Sequence, residues 1–291
     1  MSIRSRHAIT PGAKVGLNDI DPNETNGFDG RGAVEARMVQ IPDLLREQQT
    51  KLYAERQRAV LVCLQGMDSA GKDGVIRHVF SAMNPMGCRV TSFKQPAAQE
   101  KAHDFLWRYH AAVPEKGWVG IFNRSHYESA VVERVQKLID RAACSRRFAQ
   151  INDFERMMVE NGTTILKFFL HISKDEQLAR FKARLDDPLK RWKISEADYQ
   201  QRELWEDHMA AYADAISKTS TAVAPWYIIP SNHKWFRDFA IGEIVTETLE
   251  DLAIAVPKPS VDIDDIRRRY HEAERAARSD RTPPNNRKPK N

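Results

Sequence analysis

Short apolar runs alternate with amphipathic stretches along most of this chain. "RAVLVCLQG" (58–66) is an apolar run closed by a glycine, which predicts a buried strand. "GVIRHVFSAM" (74–83) then takes helical spacing, and "CRVTSFKQP" (88–96) predicts a second strand. The alternation continues with a helix in "QEKAHDFLWRYHAAV" (99–113) and a third strand in "GWVGIFN" (117–123). "RRFAQINDFERMMVENG" (146–162) predicts a helix that stops at Asn161-Gly162. "TTILKFFLHI" (163–172) is the most apolar strand, and "SKDEQLARFKARL" (173–185) opens on Ser173 with Glu176 three residues on, a capping-box pattern. "SEADYQQRELWEDHMAAYADAISKT" (195–219) predicts one long amphipathic helix, "PWYIIPS" (225–231) a last strand, and 234–253 a last helix. Upstream, 33–55 has helical spacing interrupted by Pro42.

Five strands alternating with helices imply an α/β fold built on one doubly wound, parallel, five-stranded sheet. Their apolar runs lack in–out alternation, as strands covered on both faces should. Three regions follow: a polar, extended N-terminal arm over 1–32, a main domain over 33–256, and a basic C-terminal tail over 257–291. The end of that tail, "RTPPNNRKPKN", has the composition of a disordered segment. No internal repeat is present.

Composition narrows the function classes. The 291 residues are 42% hydrophobic, enough for a sizeable core, and the net charge of +5 suits an anionic ligand without requiring one. Cys63, Cys88 and Cys144 are widely spaced and form neither a metal-ligand pair nor a disulfide framework, so a cytoplasmic setting is expected. No stretch approaches the ~18 apolar residues of a membrane span, and the N-terminus lacks a signal peptide's apolar segment. No helix-turn-helix, zinc-ligand or RNA-binding signature is visible, so no specific nucleic-acid partner is expected.

The chemistry concentrates in "GMDSAGKD" (66–73), between the first strand and the next helix. Gly66, Gly71 and Lys72 satisfy the phosphate-loop spacing in the strand-to-helix context it demands. Backbone N–H groups from Gly66, Ala70, Gly71 and Gly74 can face a phosphate, the helix N-terminus adds partial positive charge, and Lys72 adds a full one. Asp73 stands where such loops usually place a Ser or Thr, and Asp68 is a second acid inside the loop. Two carboxylates there make sense as ligands of Mg²⁺, which is commonly held by one or two carboxylates plus substrate phosphates. Asp73 alone also reads as a first-turn acid favoured by the helix dipole.

Two further groups face the same crevice, outside the carboxyl ends of the strands. "FNRSHYE" (122–128) follows the third strand and supplies Asn123, Arg124 and Glu128, with Glu133 the next carboxylate. Arg124 suits a phosphate clamp or a surface ion pair equally well. Lys94, ending the second strand, points the same way. "ARFKARLDDPLKRWKISEAD" supplies Arg180, Arg184, Lys190 and Lys193 across 180–200, where a P-loop kinase carries a lid.

Together these motifs resemble the polyphosphate kinase 2 family from about Ala33 to Tyr270. "LQGMDSAGKDGVIRHVF", "NPMGCRVTSFKQP", "HDFLWR", "GIFNRSHYE", the segment from "NGTTILKFFLHI" to "WKISEAD", and "APWYIIPSNHKWFRDFAI" carry the likeness. The "FNRSHYE" form and the "DDPLKRWK" lid most resemble the class III branch, while Glu133 is closer to other branches. The resemblance implies a P-loop kinase-like fold with a helical lid, and Mg²⁺ or Mn²⁺ at Asp68 and Asp73. It implies catalytic roles for Asp68, Lys72, Asp73, Arg124 and Glu128, and inorganic polyphosphate and nucleoside mono- or diphosphates as partners. It also implies a homodimer or homotetramer. The alternative is an ATP-dependent nucleotide kinase using the same loop. Arg108 matches the family without revealing whether it meets a ligand or packs, and His103 reads as structural.

Overall fold

β1 (Ala59–Gln65), β2 (Cys88–Ser92), β3 (Val119–Asn123), β4 (Thr163–His171) and β5 (Trp226–Pro230) form one all-parallel sheet in the order β2-β3-β1-β4-β5. The computed structural model describes residues 2–279, with a main body ending at Ala255 and a second unit starting at Val256. β1 is central and buried throughout. It sends Val60, Val62 and Leu64 into one apolar cluster and Leu61 and Cys63 into another, on the opposite face. That two-sided burial is why the sequence shows no alternation there. β2 is an edge strand, half-exposed to exposed, unlike the four buried strands.

Helices cover both faces. α1 (Ile3–His7), α2 (Glu35–Glu55, continuous through Pro42) and α3 (Lys72–His78) are followed by the short α4 (Ala98–Lys101) and α5 (Trp107–His110). The single helix expected over 99–113 is therefore broken. The Asp104 carboxylate accepts from Leu106 N at 2.9 Å, a local turn that competes with helix. α6 (Glu128–Val135), unforeseen in the sequence, leads to α7 (Arg141–Glu160), α8 (Lys174–Asp186), α9 (Glu196–Glu203), α10 (Trp205–Thr219) and α11 (Lys234–Asp251). The long helix expected over 195–219 divides at Leu204, and His208 bridges the break to Gln201 Oε1 at 2.8 Å. Ser173 caps α8 by accepting from Glu176 N, whereas the Glu176 carboxylate turns to Arg180 instead of closing a box.

The N-terminal segment, expected as an extended arm, opens with α1 and lies along β5. Ala8 bridges Tyr227, and Ile9 N donates to Trp226 O at 2.8 Å. His7 Nδ1 donates to Ile228 O at 2.9 Å, and His171 Nε2 donates to Ile20 O at 3.0 Å. In the second unit, α12 (Ile263–Ser279) occupies much of the stretch read as a tail. The segment expected to be disordered, 281–291, lies outside the described residues. No helix among the described residues is long and apolar enough to cross a membrane.

Candidate active site

β1 ends in the loop 66–71, and two glycines give it its shape. Gly66 has φ +146, and a Cβ there would stand 2.7 Å from Leu170 O; Gly71 has φ +111, and a Cβ would stand 1.9 Å from Arg237 Nη1. Only glycine tolerates both demands. Lys72 folds back over the loop, donating from Nζ to Gly66 O at 2.7 Å and Met67 O at 3.2 Å. Burial, then the nearby Arg124 cation, lowers its ammonium pKa to about 8.

The loop acids are engaged rather than bare. Arg124, at the end of β3 with φ +63, donates to Asp68 Oδ1 at 2.5 Å and to Glu128 Oε2 at 3.0 Å. Burial acts to raise the Asp68 pKa, but Arg124 and Lys72 outweigh it and hold the carboxyl below its usual range. Asp73 Oδ1 accepts from Asn123 Nδ2 at 2.9 Å, and Oδ2 lies 3.4 Å from Lys193 Nζ. Burial is again overcome, by these two donors, and Asp73 too is held low. Arg124 thus joins two of the acids at one mouth, and Lys193 carries the lid segment to the loop.

The other expected residues distribute unevenly. Arg184 is half-buried and reaches Lys193 O at 3.4 Å. Lys190 is exposed and pairs with Asp187 at 2.5 Å; Lys94 is exposed at the end of β2. Arg180 stands apart from its expected place among the lid cations. Its side chain is only 8% exposed, and Nη1 donates to Ser69 O at 2.8 Å and Ala70 O at 2.9 Å. Nη2 donates to Ser231 O at 2.5 Å and Asn232 O at 3.1 Å, and Nε to Glu176 at 2.7 Å. Spent on carbonyls, this guanidinium braces the loop from beneath. Arg108 packs: Nη1 donates to Lys94 O at 3.0 Å, and the cation lies over Phe93 and Tyr109. Glu133 pairs with Arg147 at 2.7 Å, and His103 stacks on Trp107.

Sequence reasoning missed several supports. Gln177 donates to Asp68 O at 2.9 Å, and buried Arg237 lies against Gly71 and Gly74. Behind the "SHY" turn, Glu155 Oε1 accepts from His126 at 3.0 Å and from Tyr127 OH at 2.8 Å, and Oε2 pairs with Lys167 Nζ at 2.6 Å. Lys167 also donates to Tyr127 OH and Thr219 O. A charged residue in the middle of the most apolar strand was the available signal, since a buried charge requires a partner.

Among the described residues no three His, Cys, Asp or Glu side chains gather as a metal-binding group. A divalent ion at Asp68 and Asp73 would complete its shell with phosphate oxygens and water, which is how Mg²⁺ is ordinarily held, so the two acids fit that role.

A phosphate loop between β1 and α3, in a parallel sheet with a helical segment reaching over it, defines a P-loop kinase-like protein. The model of the family Polyphosphate kinase 2 matches residues 31–256, and the chain belongs to that family. An AMP/ADP-polyphosphate phosphotransferase of Meiothermus ruber is 49% identical over 87% of this chain and 96% of its own length. An ADP-polyphosphate phosphotransferase of Rhodopseudomonas palustris is 44% identical, over 89% and 94%. The crystal structure of polyphosphate kinase 2 from Arthrobacter aurescens TC1 matches with a TM-score of 0.90 at 42% identity, covering 94% of this chain and 97% of that one.

Proposed function

We propose that this protein transfers the terminal phosphoryl group of inorganic polyphosphate to nucleoside mono- and diphosphates, converting AMP to ADP and ADP to ATP. The observation that carries the reading is the Arg124 bridge between Asp68 and Glu128 at the mouth of the Lys72 loop, in a chain of this family. The "FNRSHYE" motif and the names of the two relatives favour the class III type of acceptor range.

In this reading a terminal phosphate oxygen of the acceptor attacks the end phosphorus of polyphosphate in line. The new P–O bond forms as the bridging P–O bond breaks, and the shortened chain leaves. A nucleotide phosphate is already ionised at neutral pH, so no general base is needed. The obstacle is repulsion between two polyanions at contact distance. Lys72 and the loop amides grip the donor end, and Arg124, kept on Glu128, exchanges Asp68 for phosphate oxygens. Arg184 and Lys193 close from the lid, where exclusion of water strengthens every charge. Asp68 and Asp73 would hold Mg²⁺, which when bound offsets negative charge on the phosphates. Glu128 orients Arg124. Three cysteines without a disulfide support a reducing, cytoplasmic setting, and an assembly of two or four copies is proposed from the family resemblance alone.

A donor-and-acceptor matrix tests the function: polyphosphate or ATP as sole donor, AMP or ADP as acceptor, for the wild type, Lys72→Ala and Asp68→Asn. Polyphosphate-dependent product that disappears in both folded variants is expected. Activity with ATP alone, or near-normal turnover in either variant, overturns the reading.

A further inference from the structure

The second unit carries an amphipathic helix whose apolar face is exposed. Ile263, Ile266, Tyr270, Ala273 and Ala277 recur along α12 at intervals of three and four, the a and d positions of a heptad. Ile263, Ile266 and Tyr270 are 44%, 47% and 63% exposed. The other positions are mostly charged, so one apolar seam runs from Ile263 to Ala277, about 21 Å at 1.5 Å per residue.

The charges beside the seam say what fits it. With Ile263 at a, the flanking e and g positions include Asp262, Arg267, Arg269 and Glu274. In a parallel, in-register pair of helices each g residue faces the e residue five places on in the other helix. Asp262 then meets the partner's Arg267, and Arg269 meets the partner's Glu274; by symmetry each contact occurs twice. The antiparallel register that keeps both isoleucines in the seam brings Arg269 against the partner's Arg269 instead. Within one chain these charges make surface pairs along the helix: Arg267 with Asp264 at 2.8 Å, Arg269 with Asp265 at 2.7 Å and Glu274 with Arg278 at 3.0 Å. Pairs of that kind are worth little, so exchanging them across an interface costs little. Asp262 caps α12 through Oδ1, accepting from Asp264 N at 2.9 Å and Asp265 N at 3.2 Å, which fixes it at the start of the seam.

We infer that α12 pairs in parallel and in register with α12 of a second copy of this chain, forming a short two-stranded coiled coil. The inference uses the second unit alone and is independent of the catalytic reading. Two heptads with alanine at two of the seam positions bind weakly, so the contact is a concentration-dependent one.

Oxidative cross-linking of the full chain tests it. Ile266→Cys places a thiol at a d position, where parallel helices in register bring it against its own copy, and Arg268→Cys places one on the outer face. Ala273→Cys, a second d position, repeats the comparison with both isoleucines kept. All three sites lie on α12, outside the main body, so the body should fold, which a melting curve checks; the wild type sets the background from Cys63, Cys88 and Cys144. The expected result is a covalent dimer that forms at least about tenfold faster from the seam positions than from Arg268→Cys. Adding Arg269→Glu to a seam variant should slow linking by about tenfold, because two attractive pairs become repulsive, and adding Glu274→Arg as well should bring it back to within about twofold. Equal linking on the two faces, or a charge swap that fails to restore it, overturns the inference. No link at either seam position also overturns it; sedimentation of the wild type with vesicles of phosphatidylcholine and phosphatidylserine, lost in Ile266→Glu, would then assign the face to a membrane.

Discussion

Arg180→Met removes the cross-brace that ties the loop after β1 to the loop after β5. The guanidinium makes four hydrogen bonds to the carbonyls of Ser69, Ala70, Ser231 and Asn232, plus one to Glu176, and is 8% exposed. Methionine fills similar space but leaves those carbonyls without their donor. Such bonds are each worth about 1.5–3 kcal/mol, yet they are not additive, and breaking one partner of a buried charged set costs about 3–5 kcal/mol in total. In a body of this size that is a melting-point loss of roughly 10 °C. Arg180→Lys should fare nearly as badly, because a single ammonium cannot span two pairs of carbonyls. Arg184→Ala is the contrast. It gives up one 3.4 Å bond and a cation–ring contact at a half-buried site, so stability should move by about 0.5 kcal/mol while turnover falls by about tenfold. Circular-dichroism melts paired with kcat, measured well below each midpoint, separate the two. If Arg180→Met melts within about 2 °C of the wild type and loses only turnover, the brace is wrong and Arg180 is a lid cation after all.

Burial lowers the pKa of both His7 and His171 below the usual 6.5, despite their bonds to backbone carbonyls. A base depressed in the fold stabilises it in full above 6.5 and loses that contribution as pH falls below; the segment 2–20 should therefore be cleaved faster by protease at pH 5.5 than at 7.5, and equal rates would count against the histidine latch. Lys167→Met strands the Glu155 carboxylate in the core and should cost about 3–5 kcal/mol in urea unfolding, with much of it regained in Lys167→Met/Glu155→Gln. A single variant within about 1 kcal/mol of the wild type would refute that accounting.

Much of the fold was legible because its strongest signal is local. Each buried strand is a short apolar run, and the loop's glycines, lysine and acids lie within eight residues. Asp68, Lys72, Asp73, Asn123, Arg124 and Glu128 converge because β1 and β3 are neighbours whose carboxyl ends lie side by side. The lid was harder. Arg180 and Arg184 are one helical turn apart, and spacing alone does not say which faces inward. The clue was the stripe Gln177, Arg180 and Phe181, at i, i+3 and i+4, all buried on α8. Arg237 was out of reach: nothing around residue 237 announces a contact with Gly71, more than 160 residues earlier.

Two acids in an anion-binding loop look self-defeating until their effect on Lys72 is followed. That lysine is buried, and burial favours its neutral form; Arg124 pushes the same way. Asp68, Glu128 and Asp73 push back, in that order, and the balance leaves the ammonium near 8, still charged at neutral pH. Without the carboxylates the loop would hold more formal positive charge on paper, but the push of burial and Arg124 toward the neutral lysine would go unopposed. The acids therefore favour the charged form of the lysine proposed to grip phosphate, while Arg124, Asn123 and Lys193 engage the two loop acids in turn. Asp68→Asn accordingly removes a candidate metal ligand and, in the same stroke, part of what keeps Lys72 protonated.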